Sequence, residues 1–231
     1  MKKNQLNLDI LNRSLSKKSK IILPEKNDVR VKSAIKILLE YGFEVIDIDS
    51  LNYRRNFYKE SIISKKFTAN WTEEMLDDFL VNPINFSFVA LLNGDVDCAV
   101  AGANASTADV IRSAIRIVGL KSKTNLLSSS FFMTSHDNVQ YTFSDCAVVP
   151  EPKAEQLCSI AYEAVQSHEL LSNEKAKVAF LSFSTKGSAT HYKVKKMQDS
   201  YQLFKKKYPD IVCDGELQFD AAINPMIANK K

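Results

Sequence analysis

KIILPEKNDVRVKSAIKILLEYGFEVIDI, residues Lys20 to Ile48, holds two apolar runs on either side of a helical pattern. It opens with Lys20-Ile21-Ile22-Leu23-Pro24, a short apolar strand ended by proline. From Asp28 the apolar positions Val31, Ala34, Ile35 and Leu38 recur at helical spacing, and Gly42 follows as a C-terminal stop. Glu44-Val45-Ile46-Asp47-Ile48 is the next strand. A strand, a helix and a strand in succession are the signature of a parallel sheet.

On either side of this unit, the first fifteen or so residues form an amphipathic arm, and residues 50–70 are polar and irregular. Thr72 with Glu73 and Glu74 marks a helix start, because a hydroxyl cap and an acidic first turn suit the dipole. Asp97 to Ala101 is a buried-type strand that runs through Gly102-Ala103-Asn104-Ala105-Ser106-Thr107 into a helix ending near Val118. Strands are expected at Leu126–Thr134 and Gln140–Ser144, and a helix opens at Pro152 with Ala154, Leu157, Ala161, Ala164 and Val165 on one face. Lys177–Phe183 is another apolar strand, followed by Ser184-Thr185-Lys186-Gly187-Ser188. The next helix carries Val194, Met197, Tyr201, Phe204 and Tyr208. Ile211–Cys213 is a last strand, and Asp214-Gly215-Glu216 turns into a short final helix. The whole reads as α/β, with no internal repeat.

Bulk properties narrow the function classes. The 231 residues, 45% apolar and 25% charged, suit an ordinary globular protein with one large or two small domains. No apolar run approaches a membrane span, and no apolar stretch follows the basic start Met1-Lys2-Lys3, so no secretory signal is expected. The net charge of +4 is spread along the chain rather than concentrated with aromatic groups, which argues against nucleic acid and suits a polyanionic small substrate. Cys98, Cys146, Cys158 and Cys213 lack CxxC spacing; the expectation is structural thiols in a reducing cytoplasm.

Two loops repeat one device, in which a strand ends, small hydroxylated residues and glycine follow, and a helix begins. Free amides and the positive dipole end there favour an anion. The first runs from Gly102 through Ser106 and Thr107, with Arg112 one turn on and Arg116 beyond it; an ordinary capped helix with solvated arginines is the plainer reading. The second is Ser184-Thr185-Lys186-Gly187-Ser188, which is not a Walker loop, because GxxxxGK[ST] is missing. Asp214, Glu216 and Asp220 could orient a base, bind a metal or cap the following helix. His136, His168 and His191 share no ligand spacing and GxSxG is absent, so neither zinc nor a serine triad is expected.

At these loops the sequence resembles the phosphate acetyl/butyryltransferase family. The resemblance rests on Ile22-Leu23-Pro24-Glu25, Ala101-Gly102-Ala103, Ser106-Thr107-Ala108-Asp109 with Arg112, Ser128 to Met133, and Phe143 to Val148. Most specific are Leu181 to Ala189 and Asp214 to Ile223. It implies a two-domain fold of mostly parallel sheets flanked by helices, like isocitrate/isopropylmalate dehydrogenase, with domains 1–121 and 122–231 and a cleft between them. It implies reversible acetyl transfer between acetyl-CoA and phosphate, giving acetyl phosphate and CoA, with no tightly bound cofactor. The enzyme would be a cytoplasmic homodimer without nucleic-acid or membrane partners. A thiolate of CoA would attack acetyl phosphate directly, consistent with the lack of an activated Ser or Cys. Arg112 is the expected catalytic residue, with Gly102, Ser106 and Thr107 beside it and Ser184, Thr185, Lys186, Gly187 and Ser188 completing the phosphate and CoA contacts.

Two departures accompany the resemblance. The stretch from Phe57 to Thr72 lacks the family's tyrosine–leucine–arginine pattern, and Lys65 or Lys66 offers a point charge rather than a fork. The sequence given ends at Lys231, before the NDLSRG-type segment that carries the family's serine, arginine and aspartate base. The expectation is therefore a truncated transferase, impaired or completed by a partner chain. Phosphate butyryltransferase, or a non-catalytic CoA- or acyl phosphate-binding remnant, stays open as an alternative.

Overall fold

The computed structural model of the chain describes residues 5–120 and 126–230. Its contacts divide into two compact units, Met1–Leu120 and Lys121–Lys231. The boundary expected between residues 121 and 122 lies outside the described residues.

In the first unit, α1 (Gln5–Ser16) precedes β1 (Lys20–Ile22), α2 (Val29–Glu40) and β2 (Glu44–Ile46), and β1 pairs with β2 in parallel. The ends of α2 follow from its sequence. The Asp28 side chain accepts from the Arg30 amide at the start, and Gly42 takes a φ of +88° at the end, where the Phe43 amide donates to the Leu38 carbonyl. β3 (Cys98–Ala99) joins the other side of β1, giving a parallel sheet in the order β2-β1-β3.

Between β2 and β3 the chain is helical, including most of residues 50–70, which the sequence reads as irregular. A 3-10 helix (Ile48–Arg54) leads into α3 (Arg55–Ile63), then α4 (Glu73–Val81) and α5 (Pro83–Leu92). Ile48, Leu51, Tyr58 and Ile62 are the buried positions of the first two, a helical spacing masked by the polar residues around them. Thr72 caps α4 as expected, its hydroxyl accepting from the Met75 amide. Asn82 ends that helix and caps α5, accepting from the amides of Ile84 and Asn85 ahead of a first-turn proline. α5 is buried from Ile84 through Ala90 and forms the centre of the core with Ile22, Tyr58, Leu76, Leu80 and Ile117. The Tyr58 hydroxyl donates to Asp95 at 2.7 Å, which gives this buried phenol a partner. α6 (Thr107–Ile117) completes the unit.

The second unit begins with a hairpin, β4 (Ser130–Thr134) antiparallel to β5 (Gln140–Ser144). The long helix α7 (Ala154–Ser172) follows, two residues later than a start at Pro152, with Lys153 at its N-cap. β6 (Lys177–Leu181), α8 (Tyr192–Lys207) and β7 (Val212–Leu217) form a second parallel strand–helix–strand unit. The short α9 (Phe219–Ile223) and α10 (Pro225–Ala228) end the described chain. Phe180, Phe204, Cys158 and Val165 make the core, flanked by Tyr162 stacked on Tyr208 at 4.3 Å. Among the described residues, two of the three sheets are thus parallel and one is an antiparallel pair.

Two details correct the sequence reading. Asp214-Gly215-Glu216 is not a turn but the middle of β7, where Gly215 packs under Phe180. Cys98 is exposed, Cys146 and Cys213 are half-buried, and only Cys158 is a buried thiol. The packing at Gly215 carries a direct expectation. A Cβ there would stand 2.7 Å from Phe180 Cβ, closer than carbon atoms approach, and 3.3 Å from Tyr201 Cβ, a tight contact. Gly215→Ala should therefore lower the stability of the second unit by about 1–3 kcal/mol. Urea unfolding reads this, and an unchanged midpoint would contradict the packing.

Candidate functional site

β1 ends at Ile22, and Leu23-Pro24 carries the chain to Glu25 beside the loop that follows β3. There one carboxylate gathers four consecutive amides. Oε2 accepts from Gly102 at 2.6 Å and Ala103 at 2.7 Å, while Oε1 accepts from Asn104 at 2.6 Å and Ala105 at 2.9 Å. Gly102 makes the loop possible with a φ of +105°. Partial burial pushes the Glu25 carboxyl up, and the four amides outweigh it and hold it below the usual range. In the loop where the sequence reading expects an outside anion, the amides of residues 102–105 are held by the protein's own carboxylate. Arg30 closes over its outer side, forked onto Asp28 and donating to the Ala103 carbonyl.

The entrance of α6 lies next along the chain. Ser106 caps the helix by accepting from the Asp109 amide, and its hydroxyl donates to the Asp109 carboxylate at 2.7 Å. Asp109 in turn holds Arg112, Nη1 to Oδ1 at 2.7 Å. Ser106 and Arg112 hold the Asp109 carboxyl below the usual range. Arg112 is 54% exposed and Asp109 60%, so this guanidinium is aimed by one surface carboxylate rather than sealed in a network. Thr107 is the exposed first residue of α6.

In the second unit the expected residues divide into two groups. Ser184 and Thr185 are buried, and their hydroxyls are engaged inside the protein. Ser184 Oγ donates to Glu216 at 3.1 Å and accepts from the Ala189 amide, while Thr185 Oγ1 accepts from the Gln218 amide at 2.9 Å. Lys186, Gly187 and Ser188 are exposed at the tip. Lys186 and Gly187 both take positive φ, +49° and +84°, and the Ser188 hydroxyl accepts from the Thr185 amide at 3.0 Å. Lys186 is ion-paired with Asp214 of β7.

The loop is not a helix entrance. α8 opens only at Tyr192, with His191 as its cap, so the dipole argument does not reach residues 184–188. What shapes them is Glu216, only 2% exposed, whose carboxylate accepts from the Gly187 amide at 2.6 Å as well as from Ser184. Burial pushes the Glu216 carboxyl up, and these donors prevail and bring it below its usual range.

A third carboxylate plays the same part after β5. Asp145 accepts from the Ser129 amide and hydroxyl and from the amides of Val148 and Val149. Burial raises its carboxyl, but the Ser129 hydroxyl and the amides bring it down to about 2. A depressed carboxylate stabilises the fold above its unfolded pKa of about 3.9, and that contribution is lost as pH falls towards 2. For this half-buried group the loss should be about 1–2 kcal/mol. Denaturant midpoints at pH 6 and pH 3 should therefore converge in Asp145→Asn relative to the parent; an undiminished gap would show that Asp145 does not carry it.

Glu25 and Asp145 are given no role by the sequence reading, although each lies just beyond a strand, β1 and β5. Of the carboxylates read as possible base-orienting, metal-binding or capping groups, Asp214 pairs with Lys186 and Glu216 braces the loop. Among the described residues no group of three or more His, Cys, Asp or Glu side chains is placed to hold a metal ion.

Comparison with known proteins gives these loops a context. The family model described as phosphate acetyl/butaryl transferase matches residues 39–231. A phosphate acetyltransferase from Acetivibrio thermocellus is 32% identical over 250 residues, an alignment spanning 96% of this chain and 75% of that protein. The solved structure of a phosphotransacetylase from Streptococcus pyogenes superposes with a TM-score of 0.88 at 29% identity, over 99% of this chain and 77% of that one. A phosphotransacetylase from Staphylococcus aureus gives 0.82 at 32% identity, over 97% and 76%.

Proposed function

Because this chain belongs to the phosphate acetyl/butaryl transferase family, we propose that it transfers an acetyl group reversibly between coenzyme A and phosphate. The single observation that carries this reading is a match to phosphate acetyltransferases across nearly the whole chain, 32% identical over 96% of it. The geometry is compatible, since each unit presents an exposed cation held by one exposed carboxylate, Arg112 by Asp109 and Lys186 by Asp214.

In the direction that makes acetyl-CoA, the thiol loses its proton and the thiolate attacks the carbonyl carbon of acetyl phosphate. A C–S bond forms, the C–O bond to phosphate breaks, and phosphate leaves with the electron pair. Negative charge moves from sulfur to phosphate oxygens during this step. A cation that meets those oxygens stabilises the transition state more than the ground state.

Arg112 is the group suited to this role, since its planar fork can hold two oxygens at once. Ser106 keeps Asp109 in place, and Asp109 aims Arg112. Lys186 and Ser188 offer an ammonium and a hydroxyl to a second anionic group, while the Gly187 amide is held by Glu216. Gly102, Ser184 and Thr185 shape these loops from within. Coenzyme A is a substrate in this reading, with no resident cofactor. The finer expectations go with it: a cytoplasmic homodimer, and two domains arranged as in isocitrate/isopropylmalate dehydrogenase. Light scattering after gel filtration tests the dimer.

Thioester formation from acetyl phosphate and CoA tests the activity itself, with butyryl phosphate as the competing donor. Acetyl phosphate should be preferred. Faster turnover of butyryl phosphate would move the assignment to the longer acyl chain, and no thioester from either donor would overturn it.

A further inference from the structure

The ammonium of Lys186 stands at the exposed tip that follows β6, yet groups from β7 and α8 hold it. Asp214 of β7 pairs with it, and the Gly215 carbonyl accepts from the same Nζ at 3.4 Å. The third contact is an aromatic ring. The centroid of Tyr201, on α8, lies 5.7 Å from Lys186 Nζ, within the roughly 6 Å over which a ring face attracts a cation.

Two features fix where that ring stands. Tyr201 is half-buried, its ring centroid 6.4 Å from that of Phe180, and its Cβ stands 3.3 Å from where a Cβ on Gly215 would be. One turn on, the Lys205 ammonium lies 5.6 Å from the same ring centroid and donates to the Tyr201 hydroxyl at 3.3 Å. The counter-charge is set as well. Partial burial pushes the Asp214 carboxyl up, and Lys186, the Gly215 amide and Lys205 outweigh it and keep it below the usual range.

A lysine head on a loop tip samples many rotamers, and binding an anion in one of them costs side-chain entropy. Groups that hold the head beforehand remove part of that cost. We propose that Tyr201 is a positioning residue for acyl transfer, its ring aiming the Lys186 ammonium while Asp214 aims it from β7. The inference rests on the reading that this chain is a transferase in which Lys186 meets an anionic group of a substrate. Tyr201 acts through Lys186 and need not touch that substrate.

Thioester formation across a double-mutant cycle tests this. Lys186→Ala should lower kcat/KM by about tenfold or more for whichever of acetyl phosphate and CoA it meets, and the same constant is then followed. Tyr201→Leu keeps most of the volume and removes the ring; it should cost about two- to fivefold, mainly through KM. In the Lys186→Ala background the same change should cost nothing further, whereas a purely structural role would cost as much in both. Tyr201→Phe keeps the ring and gives up only the hydroxyl's contact with Lys205, so it should restore the rate. Equal losses from Tyr201→Leu in both backgrounds overturn the proposal. So does a parental rate in Tyr201→Leu or in Lys186→Ala. Absence of thioester formation by the parent would instead overturn the transferase reading. The ring's hold is then judged by NMR of the full chain with isotopically methylated lysines, in which the Lys186 signal is the one missing from Lys186→Ala. That signal should shift in Tyr201→Leu and stay in place in Tyr201→Phe; an unmoved signal in Tyr201→Leu would show that the ring does not hold Lys186.

Discussion

Arg112→Ala should lower kcat/KM for acetyl phosphate by about a hundredfold to a thousandfold while leaving the fold intact. The expectation starts from position. Arg112 sits on the second turn of α6, its side chain 54% exposed, and its partner among the described residues is the similarly exposed Asp109. A surface ion pair of this kind contributes little to stability, about 0–1 kcal/mol, so removing the guanidinium should barely move the unfolding midpoint. Its effect on catalysis is another matter, because charge arriving on phosphate oxygens needs a counter-charge aimed beforehand. Asp109 and its partner Ser106 supply that aim at the ground state, without reorganisation during the reaction. Arg112→Lys should recover only part of the rate, since an ammonium cannot hold two oxygens in one plane. Ser106→Ala should act more weakly and through the same residue, by loosening Asp109. Wild-type kinetics in Arg112→Ala would remove Arg112 from the mechanism; a loss of rate that tracks a loss of folded protein would make its role structural.

The sequence displays some of this arrangement and conceals the rest for identifiable reasons. Caps and periodic faces are local, so Thr72, Ser106, Gly42 and the β1-α2-β2 unit can be read directly from neighbouring residues. The carboxylates that shape the loops are not local. Glu25 meets amides 77 to 80 residues away, and Glu216 meets Gly187 from 29 residues away. A loop rich in glycine and hydroxyl groups therefore looks open to an outside anion, when the anion holding it is already in the chain. Asp214-Gly215-Glu216 misleads in the opposite way. Acidic residues beside glycine suggest a turn, yet they lie in β7 because Gly215 lets the strand pass under Phe180 and Glu216 has buried donors waiting. The helices between residues 48 and 68 are hidden by composition, since their buried positions are few and widely separated by polar ones.

Glu216→Ala should be the most damaging single change in the second unit, costing about 2–4 kcal/mol of stability and removing acyl transfer with it. The carboxylate is 2% exposed, and it accepts from the Gly187 amide at 2.6 Å and from the buried Ser184 hydroxyl at 3.1 Å. Truncation leaves those donors facing a void, where neither water nor protein replaces the bonds. It also frees the turn itself, because Lys186 and Gly187 hold positive φ angles that a non-glycine residue adopts reluctantly without an anchor. Glu216→Gln separates the two consequences. An amide oxygen can still accept from Gly187, so much of the stability should return, while the loss of charge weakens both bonds. If the loop's shape is what matters for phosphate and CoA, activity across the series should follow the order Glu, Gln, Ala with KM rising before kcat falls. A fully stable Glu216→Ala protein would show that the buried carboxylate is not what holds the loop, and a stable but inactive Glu216→Gln would assign the charge itself a part in the chemistry.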